Sequence, residues 1–248
     1  MSFNISNKVV FITGANRGIG KCITEHFLEQ GAKKVYLAVR NPNSTKDLEE
    51  QYGEKVETIQ VDITDEASIL EAAKKATDVD VVINNAGIIS TVAPLDDNAL
   101  DTLKEEMEVN VYGLMRVAKA FEAALIANQG SLVQLNSVAS IKNHLNMTTY
   151  CTSKAASYSV TQGLRDHFKP HNVRVLSVHP GVVATDMADL TGLSDIASSP
   201  QIVPIEILSA LDKGEFHVFP DAIAKQREVG FKSYADNVIM KDFAEERK

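Results

Sequence analysis

The chain has 248 residues, of which 44% are hydrophobic and 23% charged, and a formal net charge of −8 at pH 7. That length is enough to bury a large core within one α/β domain. The acidic balance argues against a nucleic-acid-binding surface, because neutralising phosphates requires a basic face. No apolar run approaches the roughly 20 residues that span a bilayer, and the N-terminal segment lacks the pattern of a secretory signal.

The cysteines and histidines indicate neither a disulfide framework nor a metal site. Two cysteines, Cys22 and Cys151, are too few to form a disulfide framework in a chain of this size, and free thiols suit a reducing cytoplasm. Both are also typical of half-buried residues without a chemical role. His167 and His171 lie four positions apart, but Pro170 between them would break the helix that such a ligand pair needs. We therefore expect a cytoplasmic protein without a metal.

Apolar strands alternate with helices along the chain. The predicted strands are KVVFIT, KVYLAV, VETIQVDIT, VDVVINNAG, SLVQLNS and VRVLSVHPG, with EFHVFP as a candidate seventh. The predicted helices are GKCITEHFLEQG, residues 43–52, ASILEAAKKA, residues 96–109 and 110–127, and a long helix that ends at Pro170. This order predicts a single doubly wound, Rossmann-type α/β domain over residues 1–248, with a parallel sheet of about seven strands and helices on both faces. Such sheets bind ligands at the carboxyl ends of their strands.

Two segments depart from this alternation. Residues 186–201 are rich in small and polar side chains, which predicts a mobile substrate loop over a site. Residues 220–248 are predicted to form a helical C-terminal tail that ends in the charge run EERK.

A glycine-rich turn, TGANRGIG, follows the first strand directly and opens the first helix. Glycines at such a turn let the backbone approach a pyrophosphate, whose charge then meets the helix N-terminus. A merely structural turn is the alternative, but the strand–turn–helix context favours nucleotide binding. The predicted contacts are Gly14, Asn16, Arg17, Gly18, Ile19 and Gly20.

The end of the second strand favours NADP(H) over NAD(H). NAD enzymes usually carry a carboxylate there to hold the ribose 2′-OH, but this strand ends in Val39-Arg40. A guanidinium offers a fork of donors and a permanent charge, which suit a 2′-phosphate, and Arg17 could approach the same phosphate from the other side. Two solvated surface arginines are the alternative, and the enzyme would then prefer NAD.

Further cofactor contacts are predicted at the ends of the third and fourth strands. Asp62, followed by Ile63, is placed to accept from an adenine amino group, although a helix cap or turn role is compatible with it. Asn84, Ala86 and Gly87 end the fourth strand, where small residues allow a nicotinamide ribose to lie against the backbone.

Tyr150 and Lys154 are the most informative pair. On a helix, residues four apart share one face, so the phenol and the ammonium point into the same space. A tyrosine with a pKa of about 10 is a poor base at neutral pH. A nearby cation favours the phenolate and lowers that pKa. Lys154 can also donate to ribose hydroxyls. The pair alone is weak, since many surface helices contain it.

Two further polar residues give the pair a context. Ser137 ends the fifth strand, where its hydroxyl can polarise a substrate carbonyl. Asn110 could hold a water that links Lys154 to solvent, or else form a local kink with its own hydrogen bonds.

From Lys8 to about Thr185 the chain resembles the short-chain dehydrogenase/reductase family, in the subgroup with chains of about this length. The resemblance rests on TGANRGIG, Asp62, NNAG, Asn110, Ser137, YCTSK and PGVVAT, in family order and spacing. It implies a catalytic tetrad of Asn110, Ser137, Tyr150 and Lys154, in which Tyr150 protonates the carbonyl oxygen while hydride passes from C4 of NADPH to the carbon. It also implies that Pro180, Val183 and Thr185 contact the nicotinamide.

The resemblance also bears on assembly and substrate. Pairing through residues 101–127 and 148–168 implies a homodimer, with a tetramer possible, although the V-D-G-G ending of many members is absent. An apolar pocket is expected for a small to medium aldehyde or ketone and its alcohol. Its expected lining is Ser90, Val92, His144, Leu145, Asn146, Met187 and Leu190.

Two other functions compete with a reductase. A non-catalytic NADP sensor on the same fold usually lacks the tyrosine or the lysine, and both are present here. A nucleotide-sugar epimerase needs a larger C-terminal domain than this length allows.

Overall fold

The computed structural model describes residues 3–241. Its seven strands form one parallel sheet, and they are β1 (Val9–Thr13), β2 (Lys34–Val39), β3 (Val56–Gln60), β4 (Val81–Asn84), β5 (Ser131–Leu135), β6 (Arg174–Val178) and β7 (His217–Val218). The strand order is β3-β2-β1-β4-β5-β6-β7, so the predicted Rossmann-type sheet is confirmed. The order reverses between β1 and β4, which leaves a crevice at their carboxyl ends.

Helices cover both faces of the sheet. They are α1 (Gly18–Glu29), α2 (Lys46–Tyr52), α3 (Glu66–Lys75), α4 (Ala99–Met107), α5 (Gly113–Ala127), α6 (Thr148–Phe168), α7 (Asp186–Thr191), α8 (Ile202–Lys213) and α9 (Ala222–Tyr234). No helix within residues 3–241 is long and apolar enough to cross a membrane.

Strand alternation divides the core into two layers. On one face of β1, Val10 and Ile12 pack with apolar residues of α1 and α8. On the other face, Val9 and Phe11 pack with α3, α5 and α6, and Phe11 lies against Phe121 with ring centroids 4.4 Å apart. Both layers are buried along β1, β2, β4, β5 and β6, which explains why these strands are largely apolar without alternation, whereas the edge strand β3 exposes Glu57 and Gln60.

One continuous helical run replaces the two helices predicted at 96–109 and 110–127. A π-helical turn, Glu108–Tyr112, joins α4 to α5. Such turns are rare and are frequent at functional sites, and this one contains the buried Asn110. Residues 108–112 contain no proline or glycine that would break the run.

The segment predicted as a mobile loop, residues 186–201, is partly helical. It begins with α7, which ends at Gly192 in the left-handed conformation. The chain then folds back, and Ser198 exchanges backbone hydrogen bonds of 2.9 Å with Val182 and Ala184. The helix α8 that follows was not predicted.

The predicted C-terminal tail is helical over its described part, through α9 and a π-helical turn at Ala235–Ile239. The charge run EERK lies outside the described residues.

Candidate active site

Two positions of the glycine turn after β1 favour glycine, one because of its backbone conformation and one because of a close contact. Gly14 has a φ of +66°, a region that side chains rarely adopt. At Gly20, a Cβ atom would lie 2.2 Å from the carbonyl oxygen of Gly14. The turn therefore brings bare backbone to the N-terminus of α1, where Arg17 provides no side-chain cap. This arrangement suits a pyrophosphate.

Asn85 ties the glycine turn to β4, a role that the sequence did not suggest. Its Nδ2 donates to the carbonyl oxygens of Thr13 at 2.9 Å and Gly14 at 3.1 Å. Thr13 Oγ1 accepts from the backbone N–H groups of Asn85 and Ala86. The Asn84 side chain, in contrast, is buried and donates to Gln134 at 2.6 Å. Only the backbone around Asn84 is therefore available to a ligand.

Arg40 and Asp62 line one polar cleft of about 320 Å³ together with Gln60, Asp65 and Ser68. Asp62 Oδ1 accepts from the backbone and the hydroxyl of Thr64. These bonds, with a smaller contribution from Arg40, hold the pKa of Asp62 below its usual value. Asp62 is a turn residue here, because Asp65 is the N-cap of α3.

Arg17 bridges the glycine turn and the start of α7. Its Nη1 lies 2.5 Å from Asp186 Oδ2, and both side chains are largely exposed. A Cβ atom at Gly18 would lie 3.1 Å from Thr185 Cγ2. The two segments therefore lie against each other, and Arg17 already has a carboxylate partner across them.

Tyr150 and Lys154 are both buried, with 8% and 4% of their surface exposed. Lys154 Nζ donates to the carbonyl oxygen of Leu135 at 2.9 Å and lies 5.8 Å from the Tyr150 ring centroid. A Cβ atom at Gly87 would lie 3.6 Å from this Nζ and 3.0 Å from Asn110 Oδ1. Leu135 at the end of β5 and Gly87 of the NNAG segment therefore lie close to three of the four tetrad candidates, Asn110, Tyr150 and Lys154.

Burial, rather than the lysine, dominates the pKa of Tyr150. Loss of solvent raises this pKa well above its usual value, and the Ser137 hydroxyl opposes the rise. The sequence predicted the opposite direction from the lysine charge, which is wrong for the protein as folded here. The physical reason is that the interior penalises every charged form: burial also lowers the pKa of Lys154 to about 8, against a smaller effect of Glu106.

Ser137 lies between β5 and the PGVVAT segment. Its Oγ accepts from Ala139 N at 3.1 Å and donates to the Pro180 carbonyl oxygen at 3.4 Å. Asp221 anchors the same segment, since its Oδ2 accepts from Gly181 N at 2.6 Å and its Oδ1 caps α9. Asp221 was missed, although an aspartate before a helix is a typical cap.

The side chain of Asn110 has three hydrogen-bond partners. Its Oδ1 accepts from Ile88 N at 2.9 Å, and its Nδ2 donates to Ile88 O at 3.0 Å and to Ser153 Oγ at 2.9 Å. Asn110 therefore joins the segment after β4 to α6. These contacts fit the local role, and the water-holding role stays a prediction.

His179, which the sequence analysis also did not identify, contacts the backbone of Ser137. It is fully buried, and its Nδ1 lies 2.9 Å from Ser140 Oγ and 3.2 Å from the Ser137 carbonyl oxygen. Since Ser140 Oγ donates to that same carbonyl, Nδ1 carries the proton, and Nε2 accepts from Ser177 Oγ at 2.7 Å. The sequence feature that could have identified His179 is its position directly before Pro180.

A second cleft, of about 380 Å³, lies between α7 and the turn that precedes α6. Its lining is Thr91, His144, Leu145, Asn146, Met147, Thr191 and Leu193. Three predicted lining residues are among these. The other four predicted residues do not line it: Ser90 and Val92 flank Thr91, with Val92 buried, and Met187 and Leu190 are exposed. Within residues 3–241 no cluster of side chains fits a metal ion.

Residues 8–193 match the model of the family described as short chain dehydrogenase. The chain belongs to this family. A NAD-dependent glycerol dehydrogenase of Listeria innocua is 33% identical over 191 residues, 75% of this chain and 74% of that protein. A NADP-dependent 3-hydroxy acid dehydrogenase of Schizosaccharomyces pombe is 28% identical, covering 88% of this chain and 92% of that one. A Burkholderia cenocepacia short-chain dehydrogenase solved with NADP superposes with a TM-score of 0.87 at 30% identity, covering 97% and 100% of the two chains.

As a short-chain dehydrogenase, the protein is an oxidoreductase that acts on alcohol or carbonyl groups of a small molecule with a nicotinamide cofactor. Its similar proteins include both NAD- and NADP-dependent types.

We predict that acid destabilises this short-chain dehydrogenase through its buried histidines. Burial lowers the pKa of His179 to about 3 and that of His217 to about 4, from an ordinary value of 6.5. At a pH between the folded and the ordinary pKa of each histidine, the unfolded chain binds a proton that the folded chain does not. The free energy of unfolding should therefore fall as pH drops below about 6.5, by about 1.4 kcal/mol per pH unit for each histidine.

Urea unfolding between pH 4 and pH 7 measures this slope. His217→Gln, which keeps a polar partner for Tyr158 Oη, should reduce the slope by up to half. His171→Gln, at an exposed site, serves as the control and should leave it unchanged. An equal slope in wild type and His217→Gln would contradict the prediction.

Proposed function

We propose that the protein is an NADP(H)-dependent reductase that interconverts a small to medium, mostly apolar aldehyde or ketone and its alcohol, with Tyr150 as general acid and base. The observation that carries this proposal is the burial of Tyr150 beside the Ser137 hydroxyl, one helical turn from the Lys154 ammonium. All three lie at the carboxyl edge of the sheet, where doubly wound domains bind ligands.

The chain has the backbone cradle that a dinucleotide needs. At Gly20 and Gly87 a Cβ atom would meet Gly14 O and Asn110 Oδ1, so glycine at these positions lets the turn and the segment after β4 pack closely around the proposed cofactor site. Residues that would hold the cofactor are Gly14, Asn16, Arg17, Gly18, Ile19, Gly20, Arg40, Asp62, Ile63, Asn84, Ala86, Gly87, Tyr150, Lys154, Pro180, Val183 and Thr185. When bound, the nicotinamide supplies the hydride in reduction and accepts it in oxidation.

The raised pKa of Tyr150 suits proton donation. A phenol that keeps its proton at neutral pH can give it to the oxygen of a carbonyl as that oxygen gains charge. Ser137 orients the oxygen, because its hydroxyl lies at the end of β5 beside Tyr150. Oxidation of the alcohol requires the phenolate instead, so it should be favoured at higher pH than reduction. Lys154 donates to the Leu135 carbonyl one helical turn from Tyr150 and is charged below about pH 8.

The NADP preference rests on Arg40 at the end of β2. Its side chain is exposed and borders the cleft that also holds Asp62. A phosphate at this place would gain the charge-assisted hydrogen bonds that a ribose hydroxyl cannot. The pairing of Arg17 with Asp186 makes Arg40 the principal candidate.

The apolar substrate is supported by the cleft between α7 and α6. Leu145, Met147 and Leu193 are its apolar lining residues, and no Lys, Arg, Asp or Glu borders it. A charged phosphate or carboxylate on the substrate would have no ionic partner there. His144 and Asn146 provide the polar contacts that orient a ligand.

We also propose a homodimer in the cytoplasm. Residues 101–127 and 148–168 are the expected contact helices, and Tyr112 and Met115 on that surface are half exposed. Both cysteines, Cys22 and Cys151, are free thiols, which suits a reducing compartment.

Tyr150→Phe should abolish turnover, because it removes only the hydroxyl that exchanges the proton. We expect NADPH oxidation with uncharged carbonyls such as benzaldehyde and cyclohexanone to fall by about 10²-fold or more, while NADPH still binds in a fluorescence titration. Tyr234→Phe, at an exposed tyrosine, should leave the rate unchanged. Retained turnover in Tyr150→Phe would exclude the proposed role.

Arg40→Asp should reverse the cofactor preference. Losing a charge-assisted contact to the 2′-phosphate should raise the Michaelis constant for NADPH about tenfold or more, whereas the value for NADH should be equal or lower. Arg227→Asp, on the exposed side of α9, makes the same charge change elsewhere and should change neither. If neither Michaelis constant responds to Arg40→Asp, the 2′-phosphate assignment fails.

A further inference from the structure

Glu106 is a buried carboxyl beside the active site to which the sequence assigned no role. It lies on α4, and none of its surface is exposed. Charged side chains are almost never fully buried unless they are paired. Its Oε1 accepts from Ser90 N at 2.8 Å, whereas its Oε2 is buried with no hydrogen-bond partner in the described chain.

Thr149 faces this carboxyl from the first turn of α6. Its hydroxyl opposes the rise that burial causes in the pKa of Glu106, so the two groups are neighbours. Thr149 Oγ1 is also buried and lies outside hydrogen-bonding geometry, as Oε2 does. A small rotation would let the two orphaned atoms satisfy each other, and buried polar atoms strongly favour such pairing.

The position of Glu106 parallels that of Asn110 one helical turn later. Asn110 hydrogen-bonds both Ile88 and Ser153, whereas Glu106 hydrogen-bonds Ser90 and faces Thr149 on α6. Residues four apart on each helix share a face. Ser153 directly precedes Lys154, and Thr149 directly precedes Tyr150. Asn110 and Glu106 therefore lie beside the two halves of the Tyr150–Lys154 pair.

The charge of Glu106 acts on the same pair. It raises the pKa values of Tyr150, Cys151 and Lys154. The other groups that act on this set are Glu105 on Glu106 itself, the Ser137 hydroxyl and the Cys151 thiol on Tyr150, and the His144 backbone on Cys151, while His179 responds to Lys154. Among the described residues whose charge acts on Tyr150 and Lys154, Glu106 is the only carboxylate.

We propose that Glu106 is a positioning residue of the proton-transfer site: its buried carboxyl holds the Ser90 segment beside the turn of α6 that carries Tyr150, and its charge acts on Tyr150 and Lys154 through the interior. This inference rests on the proposed function of Tyr150. A negative neighbour favours the protonated phenol and the protonated amine alike, so removing it makes both groups more acidic. Removing the charge of Glu106 is therefore expected to lower the pKa values of both Tyr150 and Lys154.

Glu106→Gln tests the proposal with little change in shape. It keeps an acceptor for Ser90 N and adds a donor for Thr149 Oγ1, but removes the charge. The basic limb of kcat/KM for carbonyl reduction with NADPH should move to lower pH by about one unit. In the cofactor-free protein, the titration of Lys154, followed by NMR of labelled lysine, should move in the same direction.

Two companion variants separate charge from fold. Thr149→Val removes the hydroxyl that favours the ionised carboxyl, so it should shift both titrations in the same direction as Glu106→Gln, by less. It also decides the test if Glu106→Gln does not fold. Asp101→Asn, which removes a carboxylate at an exposed position of the same helix, should leave both titrations unchanged.

The outcomes distinguish this proposal from the function on which it rests. Coincident pH profiles and Lys154 titrations in wild type and in folded Glu106→Gln would overturn the role of Glu106, even if Tyr150→Phe is inactive. An active Tyr150→Phe would instead overturn the proposed function, and the Lys154 titration would still report whether Glu106 acts on the buried pair.

Discussion

The buried ammonium of Lys154 constrains the rest of the site. Its hydrogen-bond partner is the backbone carbonyl of Leu135, not a carboxylate, so the charge holds α6 against the end of β5 in an interior that disfavours it. That position is close enough to Gly87 that any side chain there would meet Nζ. It also explains why burial lowers the pKa of Lys154 to about 8. A site in which the cation is only marginally stable is one whose charge responds to whatever binds beside it.

Buried polar side chains surround this lysine and align the elements that carry the chemistry. Asn110 and Glu106 hold the segment after β4, and Asp221 and His179 hold the segment around Pro180 and Ser137. Buried polar groups cost stability unless they are hydrogen-bonded, so such a concentration at one edge of the sheet indicates a requirement for orientation. The apolar layers on both faces of the sheet supply the stability that offsets this cost.

The parts that sequence patterns predicted correctly are those set by local chemistry. The apolar strands, the glycine turn and the helix that places Tyr150 and Lys154 on one face follow from periodicity and from steric limits on the backbone. The π-helical turn at Asn110, the helix at residues 186–191 and the bond between Asp221 and Gly181 N depend on contacts between distant segments. The pKa of Tyr150 was predicted in the wrong direction for the same reason: spacing identifies a neighbouring lysine, but the extent of burial comes from the whole fold.

A crystal structure with NADP⁺ and an unreactive ketone analogue would test the central claim most directly, namely that one edge of the sheet assembles cofactor, substrate and proton donor. We expect the 2′-phosphate to contact Arg40, the nicotinamide to lie between Gly87 and the Pro180 segment, and the ketone oxygen to accept hydrogen bonds from Tyr150 and Ser137. A nicotinamide bound away from Gly87, or a ketone oxygen beyond hydrogen-bonding reach of Tyr150, would contradict the account.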